Sequence, residues 1–505
     1  MKKTILTLAF ALAQIVTFAQ APAIQWQKTI PGDIYTYETC MKQTTDGGYV
    51  FAGYNYPTSY ANFKVVKVDS SGLIQWQISL GGSGDDMANS IQQTTDGGYI
   101  VAGSTTSTNG DVTGNHGGAD YWIVKLSASG VLQWQKTYGG SFYDYAKCIQ
   151  QTSDGGYIVA GQSDSINGDV TGNHGNQDAW VVKLNSSGVI QWQKSLGGTN
   201  IDRPTSLQQT SDGGFIMVSY TLSTDGDVAG NNVGGYWVVK LNASGVLQWQ
   251  KTYGGTGTGY DFATSIQQTS DGGYVVGGHT NSSTGDVTGF HGGYGDDFWI
   301  VKISNSGVLQ WQKTLGGIND DWAQSTQQTA DGGYIVAGLT YSNDGDVTGF
   351  HGGNGADFWI VKLNSNGALQ WQKTLGGTDD DQAISILQTT DGGYVVSGGS
   401  SSIDGDITSG QTGWWLVKLS PDLATTDFQQ QNITLFPNPA TNKLHLQTAN
   451  NISLDKITII DLTGKVVLTQ TSNTTQVNVE LLASGMYIIE AVSGDEKLIS
   501  KFLKD

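Results

Sequence analysis

Arginine is almost absent from this chain of 505 residues: Arg203 is the only one, and glutamate occurs only at Glu38, Glu480, Glu490 and Glu496. Charged residues are 14% of the sequence, well below the usual share of about a quarter. With a formal net charge of −19 and no basic stripe, the chain has nothing with which to release counterions from a phosphate backbone, which excludes nucleic acid as a partner. Cysteine is equally scarce. Cys40 and Cys148 each lie six residues before an aspartate, Asp46 and Asp154, so they hold one repeat phase two units apart. Such positions exceed the roughly 7 Å Cα separation that a disulfide tolerates, and both read as small buried residues without a bond. Beyond the first 21 residues no apolar run approaches the roughly 20 residues of a membrane-spanning helix.

The amino terminus is the one apolar stretch of any length. Lys2 and Lys3 precede an uncharged run from Thr4 to Phe18, then small residues at Ala19 and Ala21. That layout predicts a secretory leader over residues 1–21.

Glycine, by contrast, is plentiful, at 71 residues, which points to a turn-rich β-structure. The tripeptide Gln-Trp-Gln recurs seven times, centred on Trp26, Trp76, Trp134, Trp192, Trp249, Trp311 and Trp371, at intervals of 50 to 62 residues, and an Asp-Gly-Gly-aromatic turn follows each. One unit contains four extended stretches, at 88–94, 99–104, 121–126 and 131–137. The first two are joined by Thr95-Asp96-Gly97-Gly98 and the last two by Ser127-Ala128-Ser129-Gly130, both short hairpin connections. Near-continuous apolar residues in the middle stretches and alternation around Trp134 place the tryptophan strand outermost. Such four-stranded sheets in radial array make a β-propeller.

The ends of the array predict closure. An orphan Ile24-Gln25-Trp26-Gln27-Lys28 precedes the first inner strand, while the last unit stops at Trp415-Leu416-Val417-Lys418 without a tryptophan strand of its own. Residues 24–29 are therefore expected to complete the seventh blade and remove the free sheet edges that an open solenoid would leave. The expected fold is all-β: a seven-bladed β-propeller over residues 22–420, closed by the N-terminal strand, a linker over 421–431, and a small Ig-like β-sandwich over 432–505.

The tail carries Leu435-Phe436-Pro437-Asn438-Pro439-Ala440, Leu444-His445-Leu446, Asp461-Leu462-Thr463-Gly464-Lys465, Ala483-Ser484-Gly485-Met486-Tyr487 and Lys497-Leu498-Ile499-Ser500-Lys501-Phe502. This run resembles the C-terminal sorting domain of the type IX secretion system of Bacteroidetes-type bacteria. The resemblance implies an Ig-like sandwich that engages the secretion machinery, passage from the periplasm across the outer membrane, and anchoring at the surface or release. The repeats, typified by Leu80-Gly81-Gly82-Ser83-Gly84-Asp85-Asp86, resemble bacterial β-propeller repeats that share no common activity. Each turn also holds part of an Asp-box, as in Thr152, Asp154 and Gly156. Sialidases contain such boxes, but their arginine cluster cannot be built from Arg203 alone.

Candidate functional residues lie on one face, where the connection between second and third strands emerges. That connection is long in every unit but the first, and Asp111, Asp169, Asp227, Asp286, Asp346 and Asp406 recur in it. Two readings stand: calcium loops, with Asn109, Asp111, Thr113 and carbonyls beside Asp120 as donors, or self-bonded Asx and glycine loops. His116, His174, His291 and His351 share one phase, one per loop, which argues against zinc and for loop packing. A second series, Asp86, Asp144, Asp202, Asp261, Asp321 and Asp381, with Thr36 in the first unit, is expected to ring the channel mouth, binding a cation or sugar hydroxyls or bonding backbone where blades meet. Departures from symmetry beside it, Arg203 with Pro204, Tyr260, Phe262 and Trp322, are the better ligand-binding candidates, since exposed rings there stack on sugars or peptides. The leading reading is a noncatalytic, surface-displayed module for glycan or protein. A polysaccharide hydrolase or lyase, which needs two carboxylates in unlike surroundings, and a passive adhesive scaffold are the alternatives.

Overall fold

The computed structural model describes residues 20–31, 37–57, 59–230, 234–256, 259–293, 295–353, 355–422, 433–448, 453–461, 465–471, 474–493 and 496–505. Nearly all of the expected leader, Thr36, most of the expected linker and the 462–464 stretch of the tail motif lie outside the described residues. The chain forms two units, 1–423 and 424–505.

The first unit is a seven-bladed β-propeller. Six blades are consecutive four-stranded antiparallel sheets, and the seventh is built from both ends of the unit. In the second blade the strands are Asp86–Gln93, Tyr99–Thr105, Asp120–Leu126 and Leu132–Tyr138. The first strand thus begins two residues earlier than its apolar pattern suggested, because the buried Asp86 pairs with Thr105 across the sheet. A bulge recurs two residues later, between Ala88 and Ser90, and at the same phase in the other blades. The third strand is buried at every residue, whereas the outer strand alternates, as expected when only the middle of each sheet is covered on both faces.

Closure occurs as expected. Ile24–Pro31 pairs antiparallel with Gly413–Leu419, matching Gln27 with Val417 and Pro31 with Gly413. Gln27 Oε1 accepts the indole N–H of Trp415 at 3.0 Å, the bond that Gln135 makes to Trp122 at 2.9 Å in the second blade. The core lies between blades: Phe63 packs on Trp122, Tyr121 on Trp180 and Tyr236 on Trp299, with ring centroids 4.3 to 4.6 Å apart.

At the far face each Asp-Gly-Gly turn is locked by a lysine from the third strand. Lys67 Nζ reaches Asp46 Oδ2 at 2.8 Å, and six equivalent pairs end with Lys418 and Asp391. The lysines are buried and the aspartates half exposed. Thr44 Oγ1 and the Gly48 N–H both donate to Asp46 Oδ1, so the partial Asp-box is a turn device. Gly97 at φ 80° occupies the left-handed region that such a turn requires.

The second unit contains a three-stranded and a four-stranded antiparallel sheet, with strands from Ile433–Phe436 to Glu496–Lys504. Its core includes Leu444, Ile457, Ile459, Val477, Ile489 and Phe502.

Candidate functional site

All seven first strands line a central channel, with a cavity of about 500 Å³. Its two ends differ in kind. Where the tight hairpins lie, every first strand finishes in glutamine, from Gln43 to Gln388, and the six from Gln93 to Gln388 staple each blade to the one before it. Gln93 Oε1 accepts the Thr45 N–H at 2.8 Å and Gln151 Oε1 accepts that of Thr95 at 2.8 Å. At the long-loop end the residue after the buried aspartate is different in each blade: Met87, Tyr145, Arg203, Phe262, Trp322 and Gln382. Their cross-strand partners differ too, being Ser104, Gln162, Tyr220, His279, Leu339 and Gly399.

The six aspartates of the expected ring do not face the mouth. Asp86, Asp144, Asp202, Asp261, Asp321 and Asp381 are buried between blades. Asp86 Oδ2 accepts from the Gly82 N–H and from Ser107 Oγ, both at 2.8 Å, and Oδ1 accepts from Thr105 Oγ1. Asp144 and Asp202 repeat the set. A short carboxylate at the first residue of the strand reaches the turn of the preceding connection rather than the channel, so ligand cannot touch it. Burial holds these carboxyls above the usual carboxylate range, and Asp321 is pushed up to about 7.

The loop aspartates bond outside their own loops. Asp111, Asp169, Asp227, Asp286, Asp346 and Asp406 each accept a glycine N–H of the connection before their own blade, at 3.1 to 3.4 Å. The Asp111 N–H returns a bond to Gly81 O at 3.0 Å, and Asn109 Oδ1 accepts from Ser83 N at 3.0 Å. Asn109 Oδ1 and one Asp111 oxygen, both proposed for calcium, thus accept backbone N–H groups, and among the described residues no group of three or more His, Cys, Asp or Glu converges as an ion site. The histidines pack within loops, but they also reach across. His291 Nδ1 lies 2.8 Å from Asp297 Oδ2 of its own blade, while Nε2 lies 3.4 Å from Asp346 of the next.

Cys40 and Cys148 are free and line the channel. Burial raises the Cys148 thiol to about 12, which keeps it unreactive.

The asymmetric candidates are brought together at the mouth. Tyr220, Phe262, His279 and Trp322 form a row of rings from three adjacent blades, with successive centroids 5.2, 5.5 and 5.5 Å apart. Phe262 is flanked on both sides, so it offers its edge rather than the face anticipated from sequence; Trp322 ends the row. Tyr260 is 57% exposed and stands free beside them. Burial pulls His279 down to about 4, so the ring is neutral, and its Nδ1 has no hydrogen-bond partner. Arg203 Nε donates to Gln177 Oε1 at 2.6 Å. Across the mouth Tyr143 and Tyr145 stack with planes 1° apart, over a hollow of about 320 Å³ lined by Tyr54, Asn89, Tyr145, Lys147 and Gln162 among others. Tyr145, Lys147, Tyr220 and His279 had not been singled out from sequence. Their signal was available: each is a singular residue at a phase where the other blades carry something else.

Residues 434–505 match the secretion system C-terminal sorting domain family. The chain is therefore cargo of the type IX system, exported to the cell surface or the extracellular space. No curated protein matches the chain. Among solved structures it is similar to a protein of unknown function from Bacteroides caccae, at 13% identity over 62% of this chain and 89% of that one, with a TM-score of 0.36. It is also similar to Chaetomium thermophilum Sqt1 bound to the N-terminus of ribosomal protein L10 (13% identity, 78% and 99% covered, TM-score 0.41) and to the Pan2 WD40 domain of Neurospora crassa (10%, 80% and 97%, 0.46). The propeller assignment rests on the strand pairing, not on these likenesses.

Proposed function

We propose that this exported protein is a binding module whose ligand, a glycan or a protein segment, docks at the long-loop mouth of the channel. One observation carries the reading. Within a single chain of near-identical blades, the far end of the channel keeps glutamine in all seven, whereas the long-loop mouth has a different pair of residues in blade after blade. Packing alone would have tolerated the same pair throughout, as it does elsewhere; a ligand without seven-fold symmetry needs different contacts from each blade.

In this reading residues 1–21 are removed as a leader, 22–420 bind, 421–431 tether, and 432–505 engage the secretion machinery. Tyr260, Trp322 and Arg203 contact ligand, with Phe262 supporting from within the row. The hydrolase alternative is weakened because the six ring aspartates are buried in like surroundings, which offers no accessible acid and base of different pKa. The test is a screen of glycan arrays and surface-protein extracts with the full chain and with Tyr260→Ala and Trp322→Ala. Binding that both variants lose supports the mouth as the site. Binding that neither variant alters places the ligand elsewhere and defeats the proposal.

A further inference from the structure

Lys147 projects from the first strand of the third blade into the channel, at a phase that the other blades fill with the uncharged Thr39, Asn89, Thr205, Thr264, Gln324 and Ile384. It also lines the hollow of about 320 Å³ at the mouth, and Thr39 and Asn89 share that double position. The hollow therefore opens onto the channel. The first blade gives it Tyr54, the second gives Met87 and Ser104, and the third gives Tyr145 and Gln162.

The amine stands there without a counter-charge. Every lysine–carboxylate pair among the described residues belongs to the turns of the opposite face, and among them Lys147 makes neither an ion pair nor a hydrogen bond. Among the described residues no carboxylate lines the hollow, and the only charged residues lining the channel cavity are Lys147 and, toward the hairpin end, Lys42. A chain of net charge −19 thus keeps its acids off this wall. The Lys147 side chain is exposed to the lumen, yet the surrounding walls partly desolvate the amine and lower its pKa, as burial does to a cation that no anion offsets. Neighbouring donors are spent: Asn89 Nδ2 donates to Ala146 O at 2.7 Å and Thr39 Oγ1 to Ala88 O at 2.8 Å. The Lys147 amine and, among the described residues, the Gln162 carboxamide are left for a ligand.

The wall narrows what that ligand is. One amine matches one negative charge, and a run of acids would be repelled by the net charge of the protein, so the group that fits is a single carboxylate. Two tyrosine rings and the Met87 thioether make the rest of the wall more apolar than polar. A sugar would bury hydroxyls against Met87 without partners, whereas an apolar peptide side chain packs on a thioether that adapts its shape. The Gln162 carboxamide can both donate to and accept from a peptide group. We propose that this hollow binds a protein segment through one carboxylate, paired with Lys147, with the apolar side chain beside it lodged among Tyr54, Met87 and Tyr145. The carboxylate comes from a chain terminus or from an acidic side chain. This inference rests on the binding-module reading above, and it commits that reading to a protein segment rather than a glycan.

The experiment is isothermal titration of the full chain with acetylated leucine-ending tripeptides in three forms: free acid, C-terminal amide, and amide with one internal glutamate. Trigalacturonate is the sugar-acid probe. The variants are Lys147→Gln, the charge-keeping Lys147→Arg, and Lys42→Gln at the other end of the channel, each first checked for a cooperative melt. The expected result is that the free acid or the glutamate form binds about tenfold or more tighter than the plain amide, the loss expected for one charge-assisted contact. Whichever of the two binds tighter identifies the source of the carboxylate. Lys147→Gln should remove that preference, Lys147→Arg should restore part of it, and Lys42→Gln should leave it unchanged. Equal binding of all three peptide forms, an equal loss in Lys42→Gln, or tighter binding of trigalacturonate overturns the proposal and leaves the binding module intact. Failure of every probe also overturns it; only if the array screen in addition finds binding that the mouth variants do not alter do both readings fall.

Discussion

His351 Nε2 lies 3.3 Å from Asp406 Oδ2, and this contact joins the long loop of the sixth blade to that of the seventh. On its other side the same ring, through Nδ1, meets Asp357 Oδ2 at 2.8 Å. The imidazole therefore works as a clip between a buried carboxylate of one blade and a loop carboxylate of the next. His291 and His174 repeat it with Asp346 and Asp227, at 3.4 and 4.0 Å.

The clip predicts an asymmetry between its two arms. His351→Ala strips a hydrogen bond from Asp357, which is fully buried, at a cost of about 1–3 kcal/mol. Asp406→Asn removes one partly exposed arm and is expected to cost less than about 1 kcal/mol. Chemical denaturation of the two single variants and the double variant checks this, since the coupling between the positions should be positive and smaller than the His351→Ala loss.

Two aspartate populations set opposite pH dependences. Asp46, Asp96, Asp154, Asp212 and Asp271 sit at about 2; burial raises each of them, but hydrogen bonds and a lysine outweigh it. Their folded-state pKa is depressed, so the stability they contribute is present above about 4 and is lost as pH falls toward 2. The buried ring is raised instead, Asp321 to about 7 by burial. Its stabilisation is complete below about 4 and is lost as pH rises through 7. Melting temperature should therefore peak in mild acid and fall on both sides. Asp321→Asn, which cannot ionise, should flatten the fall between pH 5 and 8, and an unchanged slope there would refute the assignment.

How much of this was legible beforehand followed the range of the interaction. The hairpins, the outer tryptophan strand and the closing strand were readable because turn chemistry and alternation act over a few residues, and Ile24–Pro31 had only one place to pair. The clip was not, because His351 and Asp406 come from loops a whole blade apart and meet only once blade angle is fixed. The same limit hid the fate of the aspartate series: whether Asp86 faces the channel or the gap between blades depends on the pitch of its strand, which spacing does not reveal. The row from Tyr220 to Trp322 spans three blades, so each ring was visible as an oddity while their stacking was not.

Closure is worth a direct test. Gln27 accepts from Trp415 Nε1 at 3.0 Å and donates to Asp406 O at 2.7 Å, so Gln27→Ala leaves a buried indole N–H and a loop carbonyl without their partners. A loss of about 1–3 kcal/mol is expected, with the seventh blade exchanging amide hydrogens faster than the third. Deleting residues 22–31 exposes the edge at Gly413–Leu419 and should convert a single cooperative melt into a broad one with concentration-dependent association. A sharp, unshifted melt would show that the ring does not depend on its N-terminal strand.

The glutamine staples make a prediction that raises stability. In five successive blade junctions a second glutamine, one residue earlier, accepts a backbone N–H of the next blade: Gln92 from Gln151, Gln150 from Gln209, Gln208 from Gln268, Gln267 from Gln328 and Gln327 from Gln388, at 2.6 to 2.8 Å. The first blade has Lys42 at this phase and the seventh has Leu387. Lysine has no acceptor and leucine no polar atom, so the junctions on either side of the first blade lack the staple. Lys42 is exposed at the channel end, and replacing it costs no buried contact. Lys42→Gln should therefore add a bond to the Gln93 N–H and stabilise by about 0.5–1.5 kcal/mol, while Gln208→Leu should destabilise by a similar amount. Denaturant midpoints for the two variants decide it: movement in opposite directions supports the staple, whereas a midpoint that does not rise in Lys42→Gln would mean that the first junction is already satisfied by other means.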